Sequence, residues 1–312
     1  MTPFAFVFPG QGSQAVGMLD AWGDHPAVRA TLEEASAALG QDLAALIAGG
    51  PKEQLDLTTN TQPVMLTAGI ACYRAWLAEG GAVPAAVAGH SLGEYTALVA
   101  AGALSLADAL PLVRFRAQAM QEAVPVGQGA MAAILGLEAE AVRAGCAEAV
   151  QASGEVCEAV NFNDPKQTVI AGSKAGVDKG CELLKARGAK RALSLPVSAP
   201  FHSSLMKPAA ERLRERLAGV AIAAPQIPVV NNIDVAVVSD ADAIRDALYR
   251  QAFGPVRWVE VVQALRARGL THLLECGPGK VLAGMVKRID GEAVSATVFD
   301  PASLAEAKGM LA

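Results

Sequence analysis

Residues 85–93 read Ala-Ala-Val-Ala-Gly-His-Ser-Leu-Gly. A run of small apolar residues, Ala85 to Gly89, has the signature of a short buried strand. It stops at His90-Ser91, and a helical pattern resumes from Glu94 to Ala101. Strand, tight turn and helix around Gly89-x-Ser91-x-Gly93 form the setting of a nucleophile elbow. Flanking glycines let strand and helix approach closely, and the helix N-terminus turns its N–H groups toward a reacting carbonyl. The bland alternative is a Gly/Ser turn that only caps a helix. The flanking pattern favours the elbow.

Outward from this stretch, strand and helix alternate. Phe4-Ala-Phe-Val-Phe8 reads as a buried strand entering the loop Pro9-Gly10-Gln11-Gly12. Residues 26–47 carry helical periodicity, 62–79 form an apolar helix, and Leu106 to Glu122 form another. The alternation implies a parallel sheet with helices on both faces. The texture changes after Gly127-Gln-Gly129. Strands at 131–135, 156–162, 167–171 and 189–197 interleave with helices at 138–152 and 174–187, the second N-capped by Ser173. That β-α-β-β-α-β order is ferredoxin-like. Helices at 204–217, 241–253 and 256–268, with strands at 229–230 and 271–275, then resume the first pattern. The expected architecture is therefore α/β. A large α/β-hydrolase-like domain spans residues 1–126 and 198–312, and a small ferredoxin-like insertion spans 127–197.

Composition agrees with a globular chain. The 312 residues are 52% hydrophobic and 18% charged, which excludes a disordered or coiled-coil protein. Aromatics are only 4%, so the core is aliphatic. A net charge of −5 argues against nucleic-acid binding. Cys72, Cys146, Cys157, Cys181 and Cys276 show no CxxC spacing and read as reduced thiols of a cytoplasmic protein. The N-terminus lacks a basic signal-peptide region, and no stretch is a clean apolar span of ~20 residues, so neither secretion nor membrane insertion is expected.

A nucleophilic serine needs a base, and the chain has four histidines, His25, His90, His202 and His272. His25 reads as surface. His90 should point away from its neighbour at a tight turn, and His272 lies in a strand. His202, in the loop 198–204 that opens a helix, is the best candidate. No acidic residue between 91 and 202 occupies a clear strand-end loop. The imidazole is therefore expected to be oriented by a backbone carbonyl or an amide. Arg116 interrupts an apolar helix. It reads either as a clamp for a carboxylate or as an arginine snorkelling to water. Gln11 follows the first strand in a glycine-rich loop where backbone amides could meet an oxyanion. Neither that loop nor Gly277-Pro-Gly-Lys280 is a phosphate loop, and no metal-ligand spacing is present.

Taken together, FVFPGQGSQ (6–14), TQPVMLTA (61–68), AGHSLGEYTALVAAG (88–102), MQEAVPVGQGAMAAILGL (120–137), VNFNDPKQTVIAG (160–172), VSAPFHSSLMKPAA (197–210), PVVNNIDV (228–235) and ECGPGKVLAGMVKRI (275–289) resemble the malonyl-CoA:acyl-carrier-protein transacylases of fatty-acid synthesis. The resemblance implies ping-pong acyl transfer with malonyl-CoA as substrate and no cofactor for catalysis. Ser91 would be the nucleophile and His202 the base. It also implies an oxyanion hole from the backbone amides of Gln11 and Leu92, and Arg116 on the malonyl carboxylate. The backbone carbonyl of Gln251 would orient His202, and Phe201 would favour malonyl over methylmalonyl. A monomer and a carrier-protein partner follow from the family as well. Acyl carrier proteins are acidic, so the pairs Lys190-Arg191 and Lys287-Arg288, the latter on the C-terminal helix, are expected to frame the cleft mouth and receive the carrier. The competing expectations are a serine esterase or thioesterase, in which water replaces the thiol, and a non-enzymatic scaffold.

Overall fold

Phe4, Phe6 and Phe8 point to one side of the first strand, β1 (Phe4–Phe8), and Ala5 and Val7 to the other. The computed structural model describes residues 2–197 and 199–312. After β1 come α1 (Pro26–Leu39), α2 (Leu43–Gly49), α3 (Lys52–Leu55) and α4 (Thr58–Ala78). They are followed by β2 (Ala86–Gly89), α5 (Gly93–Ala100) and α6 (Leu106–Glu122). A second group holds β3 (Gly129–Leu135), α7 (Ala139–Ser153), β4 (Cys157–Asp164), β5 (Gln167–Ser173), α8 (Lys174–Ala186) and β6 (Arg191–Ser194). The chain finishes with α9 (Lys207–Ala218), β7 (Val229–Val230), α10 (Ala241–Phe253), α11 (Trp258–Ala267), β8 (His272–Cys276), α12 (Val281–Ile289), β9 (Val294–Val298) and α13 (Pro301–Leu311).

Five strands form a parallel sheet in the order β7-β2-β1-β8-β9. The alternation along β1 explains its two cores. The three phenylalanines pack with Tyr73 and Trp76 of α4 in edge-to-face pairs, together with residues of α1, α6 and α9. Ala5 and Val7 face Val261 and Leu265 of α11 and Leu282 and Val286 of α12. Helices thus cover both faces, as a parallel sheet requires.

The other four strands form an antiparallel sheet in the order β4-β5-β3-β6. One face packs on α7 and α8 through Ala132, Ile134, Ile170, Val142 and Val177. The opposite face carries Met131, Val160 and Val169 toward Leu195, Val197 and Phe201. The two sheets are joined along β4, where Phe162 N–H donates to Val256 O and Val256 N–H donates to Val160 O.

Several boundaries differ from the sequence expectation. The periodic stretch 26–47 is two helices, because Gly40 takes a left-handed conformation (φ 60°) and Asp42 caps α2 afresh. The strand expected over 189–197 is regular only over Arg191–Ser194, with single backbone bonds to β3 from Lys190 and Leu195 at its ends. The helix expected from 204 opens with a 3₁₀ turn before α9. Lys287 and Arg288 lie on α12, which is not the last helix, since β9 and α13 follow. The domain boundary placed at residue 198 falls on Ser198, outside the described residues.

Candidate active site

The Gly-His-Ser-Leu-Gly turn is compressed. A Cβ on Gly89 would lie 1.9 Å from the backbone of Gly93, and one on Gly93 would lie 2.1 Å from Phe8 O. Both positions therefore exclude side chains. Between them Ser91 is held at φ 53°, a left-handed conformation that costs a non-glycine residue roughly 1–2 kcal/mol. Gly10 brings the loop after β1 against this turn, since a Cβ there would meet His90 O at 2.6 Å. The elbow expected from sequence is present in geometry.

Ser91 Oγ lies 2.7 Å from His202 Nε2, and His202 Nδ1 lies 2.9 Å from the carbonyl oxygen of Gln251. A carbonyl only accepts, so Nδ1 carries the proton and Nε2 is left free to receive the serine proton. Burial drives the His202 pKa down to about 3, reinforced by the positive charge of Arg116. The ring is therefore neutral at neutral pH, the state a general base needs. No carboxylate takes part, in keeping with the absence of an acid in the right place in the sequence.

Arg116 is 2% exposed. Its Nη1 donates to Gln62 Oε1 at 2.9 Å, and its Nη2 donates to Gln251 Oε1 at 3.1 Å and reaches Ser91 Oγ at 3.3 Å. The snorkelling alternative is excluded. The guanidinium is held by neutral amides and the face of Tyr95, 5.4 Å away. Glu94 acts on it electrostatically, but they meet only through Gln251. A buried cation with neutral partners beside the reactive hydroxyl is a ready receptor for a small anion.

These groups line one cavity of about 130 Å³, with Gln11, Leu92, Phe201, Met120, Met131, Leu195 and Val197 in its wall. The backbone N–H groups of Gln11 and Leu92 donate to no group among the described residues. Phe201 stands beside His202 between the two sheets' cores. Gln62 and Asn161 also line the cavity. Sequence reasoning did not single them out, although a glutamine at the start of an otherwise apolar helix was the available signal for Gln62. The His90 ring finds its partners away from Ser91, although the residue belongs to the cavity wall. The ring packs 5.5 Å from Trp258 and pairs its Nε2 with Asn163 Oδ1 at 2.8 Å. His25 is not a surface residue. Its side chain is 14% exposed, and its Nδ1 caps α1. Among the described residues no group of three or more His, Cys, Asp or Glu is arranged to hold a metal ion, and no helix is long and apolar enough to cross a membrane.

The basic pairs are not at this cavity. Lys190 and Arg288 instead border a separate depression with Leu135, Gly136, Asp164, Lys166 and Gln167. Met131 in one wall and Leu135 in the other are four positions apart on β3, roughly 13 Å along the strand. Arg288 is engaged by Asp164 at 2.6 Å.

Comparison with known proteins agrees with this geometry. The family model for the acyl transferase domain matches residues 5–297. Malonyl CoA-acyl carrier protein transacylase of Escherichia coli (strain K12) is 54% identical over 98% of this chain and 99% of its own. The crystal structure of acyl-carrier-protein S-malonyltransferase from Burkholderia pseudomallei 1710b superposes with a TM-score of 0.97. It is 70% identical, over 99% of this chain and 100% of that one. A malonyl-transacylase solved with its type II polyketide acyl-carrier protein superposes with a TM-score of 0.97. It is 49% identical, over 99% and 100% of the two chains.

Proposed function

The chain belongs to the acyl transferase domain family, among the malonyl CoA-acyl carrier protein transacylases, and from that premise we propose that it moves the malonyl group of malonyl-CoA to the phosphopantetheine thiol of an acyl carrier protein. His202 Nε2 takes the Ser91 hydroxyl proton as Oγ bonds to the thioester carbonyl carbon. The amides of Gln11 and Leu92 receive the oxyanion. The carbon–sulfur bond breaks, and the departing CoA sulfur takes the proton back from His202. In the second half the carrier thiol gives its proton to His202 and attacks the malonyl-serine ester, and Ser91 leaves with that proton restored. No further cofactor enters these steps.

The observation that carries this reading is Arg116, buried, amide-held and 3.3 Å from Ser91 Oγ. A malonyl carboxylate answers that unmatched charge, whereas an acetyl group does not. Anchoring the anion also favours transfer over hydrolysis, because the ester stays in a largely apolar pocket that a thiol on a long arm can enter. The test is Arg116→Ala. We expect malonyl transfer to fall ~10–200-fold, the loss of about 1.5–3 kcal/mol of charge-assisted bonding, with acetyl transfer spared or raised. Equal loss for both acyl groups would remove the carboxylate role.

The finer parts of the reading follow from the same premise. The β3-α7-β4-β5-α8-β6 unit is a ferredoxin-like insertion, residues 127–197, in an α/β-hydrolase-like domain. Its strand order and its apolar face over the cavity support that division. Phe201 narrows the pocket against a methyl branch, worth only ~1–3 kcal/mol of preference. The depression with Lys190 and Arg288, extended by Arg191 and Lys287, receives the acidic carrier, a role supported by its charge. Five free cysteines support a cytoplasmic setting, and the enzyme acts as a monomer.

A further inference from the structure

The catalytic groups are braced from behind by a buried polar network to which no role has yet been given. Strand β7 pairs with β2 in parallel for two residues only, Val87↔Val229 and Ala88↔Val230. Beyond them β2 swings into the elbow, and the backbone ladder cannot follow. The side chain of Asn232 continues it instead. Its Nδ2 donates to Gly89 O at 2.7 Å, and its Oδ1 accepts from Ser91 N–H at 2.8 Å. A single amide thus grips the strained residue and the one two positions before it. Asn232 is fully buried.

The grip is itself anchored. Glu94, in the first turn of α5 and 2% exposed, accepts from Asn232 N–H at 2.8 Å and from Gln251 Nε2 at 3.0 Å, both on Oε2. The same Gln251 nitrogen donates to Ser91 O at 3.0 Å. One carboxylate therefore fixes the backbone of Asn232 and the side-chain amide of Gln251, and the side chains of these two residues hold Ser91 by its N–H and its C=O.

We propose that Asn232 is the positioning residue of the nucleophile, its side-chain amide clamping the Ser91 elbow in a left-handed turn and Glu94 anchoring the Asn232 backbone from which that amide projects. The inference rests on Ser91 being the nucleophile. The physical reason is that local preference opposes φ 53° at Ser91, and the start of α5 reaches only its carbonyl, through Glu94 N–H at 3.1 Å, leaving its N–H to Asn232. The conformation persists only where the surroundings over-determine it. Releasing it would let Oγ swing off the His202 line, and misplacement by about 1 Å costs on the order of 100-fold in rate.

The test separates reactivity from binding. A fluorophosphonate reads Ser91 nucleophilicity without any malonyl group, and calorimetry with malonyl-CoA on a Ser91→Ala background reads the pocket. Asn232→Asp keeps the size and the acceptor but cannot donate to Gly89 O. It should lower the labelling rate constant about 10–100-fold and leave malonyl-CoA affinity within about threefold. Asn232→Ser serves the same purpose if the aspartate variant does not fold. Glu94→Gln can take the same two donors on its amide oxygen and should label within about threefold of the parent, while Glu94→Ala should fall with Asn232→Asp. Unchanged labelling in the Asn232 variants, or labelling and affinity lost together, overturns the proposal. Absence of labelling in the parent protein overturns the nucleophile itself, and with it the proposed function.

Discussion

Gln251 holds His202 with its backbone, the carbonyl oxygen lying 2.9 Å from Nδ1, while its side-chain oxygen takes Arg116 at 3.1 Å. One residue thus fixes both the His202 ring and the Arg116 guanidinium. The orienting group is a neutral carbonyl, so the backbone contacts of Gln251 and Gly254 favour an imidazolium only weakly, and burial and Arg116 outweigh them.

The first prediction concerns that ring. With its pKa driven down to about 3, His202 should stay neutral and protonated on Nδ1 from pH 8 to pH 5. Ring nitrogen shifts in an NMR titration check this, and a protonation midpoint near 6.5 would contradict it. The sign for stability follows. The folded pKa is depressed, so the contribution is present above pH 6.5 and is lost as pH falls toward 3.

Glu275 gives the opposite sign. It is fully buried at the end of β8, and its Oε2 accepts from Ala283 N–H at the start of α12. Burial pushes its carboxyl up to about 7. A raised pKa contributes stability that is complete below about 4.5 and lost as pH rises through 7. Glu275→Gln should therefore gain on the parent protein between pH 5 and pH 8, by on the order of 3 kcal/mol at most. Paired denaturant curves at the two pH values measure it. A difference that does not change with pH would sink it.

Carrier recognition gives a third prediction. Lys190→Glu with Arg191→Glu, and separately Lys287→Glu, should raise the KM for carrier protein at low salt. The effect should shrink above about 0.3 M salt, where the Debye length falls to roughly 5–6 Å and longer-range steering is screened. Lys287 is preferred to Arg288 because reversing Arg288 would also break its bond to Asp164. An unchanged carrier KM at low salt would move the docking surface elsewhere.

Much of this was legible in the residues. The β1 alternation, the elbow and the missing acid follow from local pattern, because strand period and turn sterics are local physics. Gly40 broke the stretch 26–47 by a conformation that helical periodicity does not register. The roles of Asn232, Glu94 and the Gln251 side chain were not legible. They lie 135 to 160 positions from their partners, and only the parallel sheet order brings them together. Lys190 and Arg288 border a depression separate from the Ser91 cavity whose mouth the basic pairs were expected to frame. Sequence spacing says nothing about which mouth a surface charge borders.

The central claim, acyl transfer through Ser91, is tested most directly by intact-mass analysis of the protein mixed with malonyl-CoA and then with holo carrier protein. The account predicts one malonyl adduct on Ser91 that persists without carrier and passes to the carrier thiol on its addition, with no adduct on Ser91→Ala. An adduct lost to water at the same rate with or without carrier, or no adduct at all, would contradict it.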